Sequence, residues 1–306
     1  MSLIIATGAH SGLLLLLTRP SSSARSGIDS LSALLASHPH SSLAEMPLDL
    51  ADLRAVRAAA PRLAEQVKAL QHGTQRTVVF LNAAIWPDAK HMSADEAGAA
   101  DALHVDGNVE QSCAVNYLSH LILLKPLLPL LLDTPQARVV FTSSALHRRA
   151  DPANLDSLFS SSAPSSGRDL YVHSKFLQAL GVRRLARRLS ASHPDASLQL
   201  VAVQPGFVPT TGLGRQASLF ARAGMYAMSY LPLPFLESEE KAGETLCDAL
   251  AKPLEAFERH STAQQEAQAG VSETWLVKGG KVARPDERTG DEALQDKWWP
   301  AELADE

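Results

Sequence analysis

Apolar runs of strand length alternate along this chain with longer stretches of helical character, and that alternation restricts the fold more than any other feature. Runs at residues 2–7 ("SLIIAT"), 13–18 ("LLLLLT"), 43–50, 76–84 ("RTVVFLNAA"), 137–144 ("ARVVFTSS"), 197–206 ("SLQLVAVQPG") and 273–280 are each closed by turn or polar residues. Between them lie stretches near 28–37, 51–70, 107–132, 169–191 and 238–251 whose length and patterning suit helices. Strands that are apolar at consecutive positions are buried on both faces, which requires helices on both sides of a mostly parallel sheet. The expectation is a single doubly wound α/β domain over residues 1–257. Residues 258–306 form a C-terminal extension, with a last strand at 273–280 and a tail, "DEALQDKWWPAELADE", whose Trp298 and Trp299 dock on the domain or bind a partner.

Composition narrows the function classes. A chain of 306 residues with 45% hydrophobic content buries a full core, and its formal charge of -5 gives no bulk attraction to nucleic acid. Cys113 and Cys247 stand far apart, so neither a disulfide framework nor a metal site is expected, and a reducing, cytoplasmic setting fits. The leucine block at 13–17 lacks a preceding Lys or Arg and reads poorly as a signal peptide. The run "YLSHLILLKPLLPLLL" at 117–132 is interrupted by Lys125, Pro126 and Pro129, short of the roughly 20 apolar residues of a membrane span. Peripheral membrane association stays open.

The chemistry is concentrated in "LYVHSKF". Tyr171 and Lys175 are four residues apart in a helical stretch, a spacing that stacks both side chains on one face. An ammonium beside a phenol favours phenolate and so tunes the hydroxyl for proton exchange with a carbonyl or alcohol. Upstream, a strand ends in Ser143-Ser144; downstream, another ends in Pro205-Gly206. Both ends fall at the carboxyl edge of the sheet, where α/β proteins bind ligands. His147, His173 and the arginines at 183, 184, 187 and 188 read as structural or solvated groups.

With these features the chain resembles the short-chain dehydrogenases/reductases, in their order along the chain and from Thr7 to about Gly280. The resemblance implies a Rossmann-like fold and a catalytic set of Asn116, Ser144, Tyr171 and Lys175. Tyr171 would exchange the proton and Ser144 would hydrogen-bond the substrate oxygen. Lys175 would lower the tyrosine pKa and bind the nicotinamide ribose, while Asn116 would hold a water that passes protons onward. Gly8, His10 and Gly12 resemble the glycine-rich turn, Asp49 the acidic residue beside the adenine, and Asn82 and Ala83 the stretch after the fourth strand. Pro205, Gly206, Val208 and Thr210 resemble the segment that clasps the nicotinamide. Arg19 at the end of the second strand suits the extra phosphate of NADP.

One stretch departs from that pattern. The glycine turn should open a phosphate-binding helix, yet too few residues separate Gly8 from Leu13 to build the crossover of about 10 to 12 residues that two parallel strands need. Three readings are open: an incomplete version of a longer parent, a distorted helix over 11–18 with the second strand absent, and an unusual connection.

The resulting expectation is an NADP(H)-dependent oxidoreductase interconverting a carbonyl and an alcohol on a fairly apolar small molecule of lipid, retinoid, sterol or xenobiotic type. It resembles the retinol dehydrogenase and carbonyl reductase branch. Residues 219–236, rich in Met, Tyr, Phe and Leu, are read as a substrate lid, or as a membrane- or dimer-contacting segment. Family resemblance also implies homo-oligomers. The alternative is a non-catalytic chain with impaired cofactor binding.

Overall fold

In the computed structural model the described residues are 3–7, 13–18, 22–37, 41–70, 76–87, 92–94, 108–159, 166–210, 213, 223, 226, 235–257, 271–300 and 303. Their elements follow the expected alternation. β1 (Leu3–Thr7), β2 (Leu13–Thr18), α1 (Ser22–Leu35), β3 (Ser42–Pro47), α2 (Leu53–Leu70) and β4 (Arg76–Leu81) form the first half. A small hairpin of β5 (Met92–Ala94) and β6 (Asn108–Glu110) precedes α3 (Gln111–Leu132). Then come β7 (Gln136–Thr142), α4 (Gly167–Ser192), β8 (Leu198–Gln204), α5 (Glu239–Ala251), β9 (Ser272–Val277), β10 (Lys281–Val282) and α6 (Glu292–Lys297).

The main sheet has the strand order β10-β9-β8-β7-β4-β1-β2-β3. β2 and β3 are parallel, as are β4, β7, β8 and β9 in succession. β1 pairs antiparallel with both its neighbours, β2 and β4, so these two run in the same direction and β1 runs against them. The architecture is an α/β, Rossmann-like doubly wound sheet in a single domain. The reversal of β1 is the departure from the expected parallel arrangement, and the short link explains it. Residues 8–12 can close a hairpin, whereas a parallel partner would need a crossover. β2 is present at 13–18, so a distorted helix there is excluded.

Alternation along the strands divides the core in two. Val79, Leu81, Val139, Phe141, Leu200 and Ala202 point into one cluster with α2, α3 and α4. Val78, Phe80, Val140, Val201 and Val203 point the other way, toward Ala249 of α5, Phe257 and Leu276. The period of two along each strand produces this split, and each large apolar side chain so buried contributes about 1.5–3 kcal/mol.

α3 is long and apolar enough to cross a membrane by length and composition, yet 67% of its apolar window is buried inside the protein. Ala114–Leu118 form a π-helical turn within it, and Pro126 and Pro129 fall in the tighter or restarted turns that follow. The π turn carries Asn116, and such turns concentrate at functional sites.

Trp298 and Trp299 pack against the domain. Trp298 is 2% exposed and stacks on Phe159 with ring centroids 5.3 Å apart, and its carbonyl accepts a 2.8 Å hydrogen bond from Tyr117 Oη. The Arg184 guanidinium lies 4.8 Å from the Trp299 ring centroid and pairs with Asp296 at 2.7 Å. Arg187 binds Glu292 and Asp296, each at 2.7 Å. The arginine face of α4 is therefore the seat of the chain's own tail rather than a solvated surface.

Candidate active site

The carboxyl ends of β4, β7 and β8 lie side by side, and α4 passes across them. At the end of β4, Asn82 Oδ1 accepts a 2.7 Å hydrogen bond from Thr142 Oγ1 at the end of β7. Lys175 Nζ donates to the Thr142 carbonyl at 2.7 Å. Ser144 follows β7, caps the 3-10 turn at 145–149 through a 3.3 Å bond accepted from Leu146 N–H, and hydrogen-bonds Tyr171. Ser144 rather than Ser143 therefore meets the tyrosine, whereas the Ser143 Oγ is buried without a partner among the described residues. His147 Nδ1 lies 2.6 Å from the Ser144 carbonyl, so that nitrogen carries the proton and donates.

The electrostatics differ from the sequence expectation. Burial pushes the Tyr171 phenol up to about 12, against a smaller lowering by the Ser144 hydrogen bond. Burial also brings the Lys175 ammonium down to about 7. The Lys175 ammonium is directed at the Thr142 carbonyl. The phenol is thus protonated at neutral pH and set as a donor.

The Asn116 side chain is bonded to the protein on both sides of its amide. Its Oδ1 accepts from Ile85 N–H at 2.8 Å, and its Nδ2 donates to the Ile85 carbonyl at 3.1 Å and to Ser174 Oγ at 2.9 Å. The amide pins the loop after β4 to α4 and α3. Its main-chain carbonyl is taken as well, by Gln178 Nε2 at 3.0 Å.

The remaining expected site residues divide by position. Ala83 is buried in the loop after β4. Pro205 and Gly206 follow β8, and Gly206 has φ +97°, a left-handed conformation that a side chain would strain; a Cβ there would stand 3.0 Å from Glu237 Cβ. Phe207 N–H then donates to the Phe235 carbonyl at 3.0 Å and aims the segment carrying Val208 and Thr210. Asp49 stands after β3, at the far edge of the sheet, where its Oδ1 accepts from Ala51 N–H at 3.0 Å at the entry to α2. Gly8, His10, Gly12 and Arg19 lie outside the described residues, as does most of 219–236. β1 itself is described: Thr7 pairs with Thr77, near the start of β4, so the chain leaves β1 at the amino edge, opposite Tyr171.

Two groups near the tyrosine were not anticipated. Trp86 stacks on Tyr171 with centroids 4.7 Å apart and planes 12° apart, and touches Phe207 at 6.5 Å. The sequence signal for Trp86 was only an aromatic two residues beyond "LNAA", which has no periodic partner. Gln178 had a clearer one, since Tyr171, Ser174, Lys175 and Gln178 fall at i, i+3, i+4 and i+7 on one helix face.

Over 177 residues the chain is 34% identical to a short-chain dehydrogenase/reductase of Pestalotiopsis microspora, covering 57% of this chain and 54% of that protein. The chain thus matches about half the length of that curated relative. Among solved structures, an uncharacterised protein of Mycobacterium paratuberculosis superposes with a TM-score of 0.53 at 21% identity, over 94% of this chain and 82% of the other. A short-chain dehydrogenase from Salmonella enterica serovar Typhi gives a TM-score of 0.50 at 19% identity, over 78% and 79%. These likenesses show an α/β, Rossmann-like fold for the chain. No protein-family model matches the chain.

A nicotinamide dinucleotide, the cofactor such a fold implies, fits the described residues in one half only. Around Tyr171, the loop 205–208 and the buried, unpartnered Gln204 Nε2 and Ser143 Oγ offer polar groups at the carboxyl edge that suit a nicotinamide and its ribose. For the phosphate half the described residues show no such set of groups, and β1 ends at the opposite edge of the sheet.

Proposed function

We propose that the chain is a short-chain oxidoreductase that exchanges a proton with the oxygen of an apolar carbonyl or alcohol through Tyr171, with NADP(H) as hydride carrier. The observation that carries this reading is the convergence of Ser144, Tyr171 and Lys175 at the ends of β7 and α4. A nicotinamide, when bound, would supply or accept the hydride. Tyr171, held protonated by burial, donates to the substrate oxygen, and Ser144 shares a hydrogen bond with the tyrosine and stabilises charge on that oxygen. Trp86 and Phe207 supply an apolar wall beside the hydroxyl, which supports an apolar substrate of the carbonyl reductase type.

A second reading is favoured by the reversal of β1: a chain shortened in its first βαβ unit that keeps the catalytic groups and does not hold a dinucleotide. NADPH titration followed by nicotinamide fluorescence separates the two. Saturable binding at micromolar concentration, abolished by excess NADP, supports the enzyme. A folded sample that shows no binding refutes it for this chain.

A further inference from the structure

Gln178 bridges the Asn116 main chain in the π turn of α3 and the Lys175 ammonium on α4. Its Nε2 donates to the Asn116 carbonyl at 3.0 Å, and its Oε1 accepts from Lys175 Nζ at 3.4 Å. The amide's orientation is determined by its partners. A carbonyl at one end can only accept, and an ammonium at the other can only donate, so the NH2 group must face Asn116 and the oxygen must face Lys175. The residue is 3% exposed, which excludes bulk water from the bridge. The Asn116 carbonyl that accepts this bond lies within the π turn Ala114–Leu118 of α3.

We propose that Gln178 is a positioning residue: its amide ties the Lys175 ammonium to the π turn of α3, and thereby fixes that ammonium against the end of β7 beside Tyr171. The inference rests on the reading of Tyr171 and Lys175 as the proton-handling pair. With the Thr142 carbonyl, Gln178 gives the buried ammonium two neutral acceptors, which oppose the desolvation that drives it toward the neutral amine. Among the described residues, the ionisable groups near Lys175 are Tyr171, which lies one turn earlier on α4, and His120 of α3, which interacts with it and which burial holds down at about 3 and therefore neutral. β7 contributes the Thr142 carbonyl.

The test uses the full chain with lysine labelled for NMR, which reads the Lys175 ammonium directly and needs neither cofactor nor turnover. Q178M keeps the length of the side chain and removes both polar ends. Its Lys175 protonation constant is expected to fall about fivefold to tenfold, because one acceptor of a buried charge is lost. Q178E keeps an acceptor and adds negative charge, so the constant should equal or exceed that of the wild type. Where turnover is measurable, Q178M should lower kcat and move its pH limb in the same direction as the NMR midpoint, with KM changed by less than about twofold; Q178E should restore the limb. A Lys175 midpoint unchanged in Q178M overturns the proposal, as does a Q178E midpoint below that of the wild type if Q178M does not fold. Absence of NADPH binding refutes the oxidoreductase reading and leaves the NMR result to decide the role of Gln178.

Discussion

Gly181→Ala should destabilise the protein even though alanine is the better helix former. Gly181 lies in the middle of α4, where replacing it would ordinarily gain about 1 kcal/mol in helix propensity. A Cβ at this position would stand 2.7 Å from Tyr117 Cε2 and 3.5 Å from Cζ and Oη. Against an optimum carbon separation of about 3.5 Å, the methyl group would overlap the ring by roughly 0.8 Å. The ring has nowhere to go. Tyr117 is 2% exposed, its hydroxyl is bonded to the Trp298 carbonyl at 2.8 Å, and Trp298 is itself stacked on Phe159. Overpacking of this kind costs about 1–3 kcal/mol, and displacing the hydroxyl from its buried bond about 1 kcal/mol more. After the gain in propensity, the net loss is about 1–3 kcal/mol, or a fall in Tm of about 2–6 °C for a chain longer than 250 residues. Urea and thermal unfolding measure it, with Tyr117→Leu and the double variant completing a cycle whose coupling should be 0.5 kcal/mol or more. A Gly181→Ala protein as stable as the wild type, or a cycle that is simply additive, would refute the reasoning. Tyr117 adjoins Asn116 in the π turn, so the same substitution transmits strain toward the loop after β4.

Three other outcomes are expected. Tyr171→Phe removes the proton donor and should lower kcat by about 10²–10⁴-fold while leaving the NADPH dissociation constant within about threefold, measured by steady-state turnover and fluorescence. Trp86→Ala removes an aromatic stack worth about 0.5–1.5 kcal/mol and should raise KM for an apolar ketone more than it lowers kcat; an unchanged KM across a panel of apolar ketones would count against the wall beside Tyr171. Burial lowers His147 to about 4 and His120 to about 3 from 6.5, so between those values the unfolded chain binds protons that the native protein does not. Stability should therefore rise with pH from about 4 to 6.5 and be lost as pH falls, which urea unfolding at a series of pH values would show as a positive slope, flattened in the His120→Phe, His147→Phe double variant.

Much of the scaffold was legible because its signals are short-range. The run Leu13–Leu17 appears as β2, and "RTVVFL" as β4, because short apolar runs bounded by turn or polar residues suit a strand covered on both faces. Tyr171 and Lys175 share a face because a helix repeats every 3.6 residues, which depends on nothing beyond α4. Ser144 came from the family resemblance, and it is the serine whose side chain hydrogen-bonds Tyr171. The count of residues between Gly8 and Leu13 was enough to rule out a crossover helix, since chain length limits reach whatever the surroundings.

What the count could not supply was the direction of β1, since a strand's hydrogen-bonding edges accept parallel and antiparallel neighbours alike, and only β2 and β4 together determine which way it lies. The lysine's orientation was equally a tertiary matter. Helical spacing set its distance from Tyr171, but the Thr142 carbonyl and the Gln178 amide, brought in from β7 and from one turn further along α4, decide where its charge points. Asn116 was recognised as a site residue, yet its partners, Ile85 and Ser174, are 31 and 58 positions away and leave no periodic trace. The residue types and their local spacing thus determined the chemistry available to this chain, because those depend on covalent neighbours and on helix or strand repeat. Which atoms meet, and at which edge of the sheet, was decided by packing between distant segments, where burial sets the cost of every unpaired polar group.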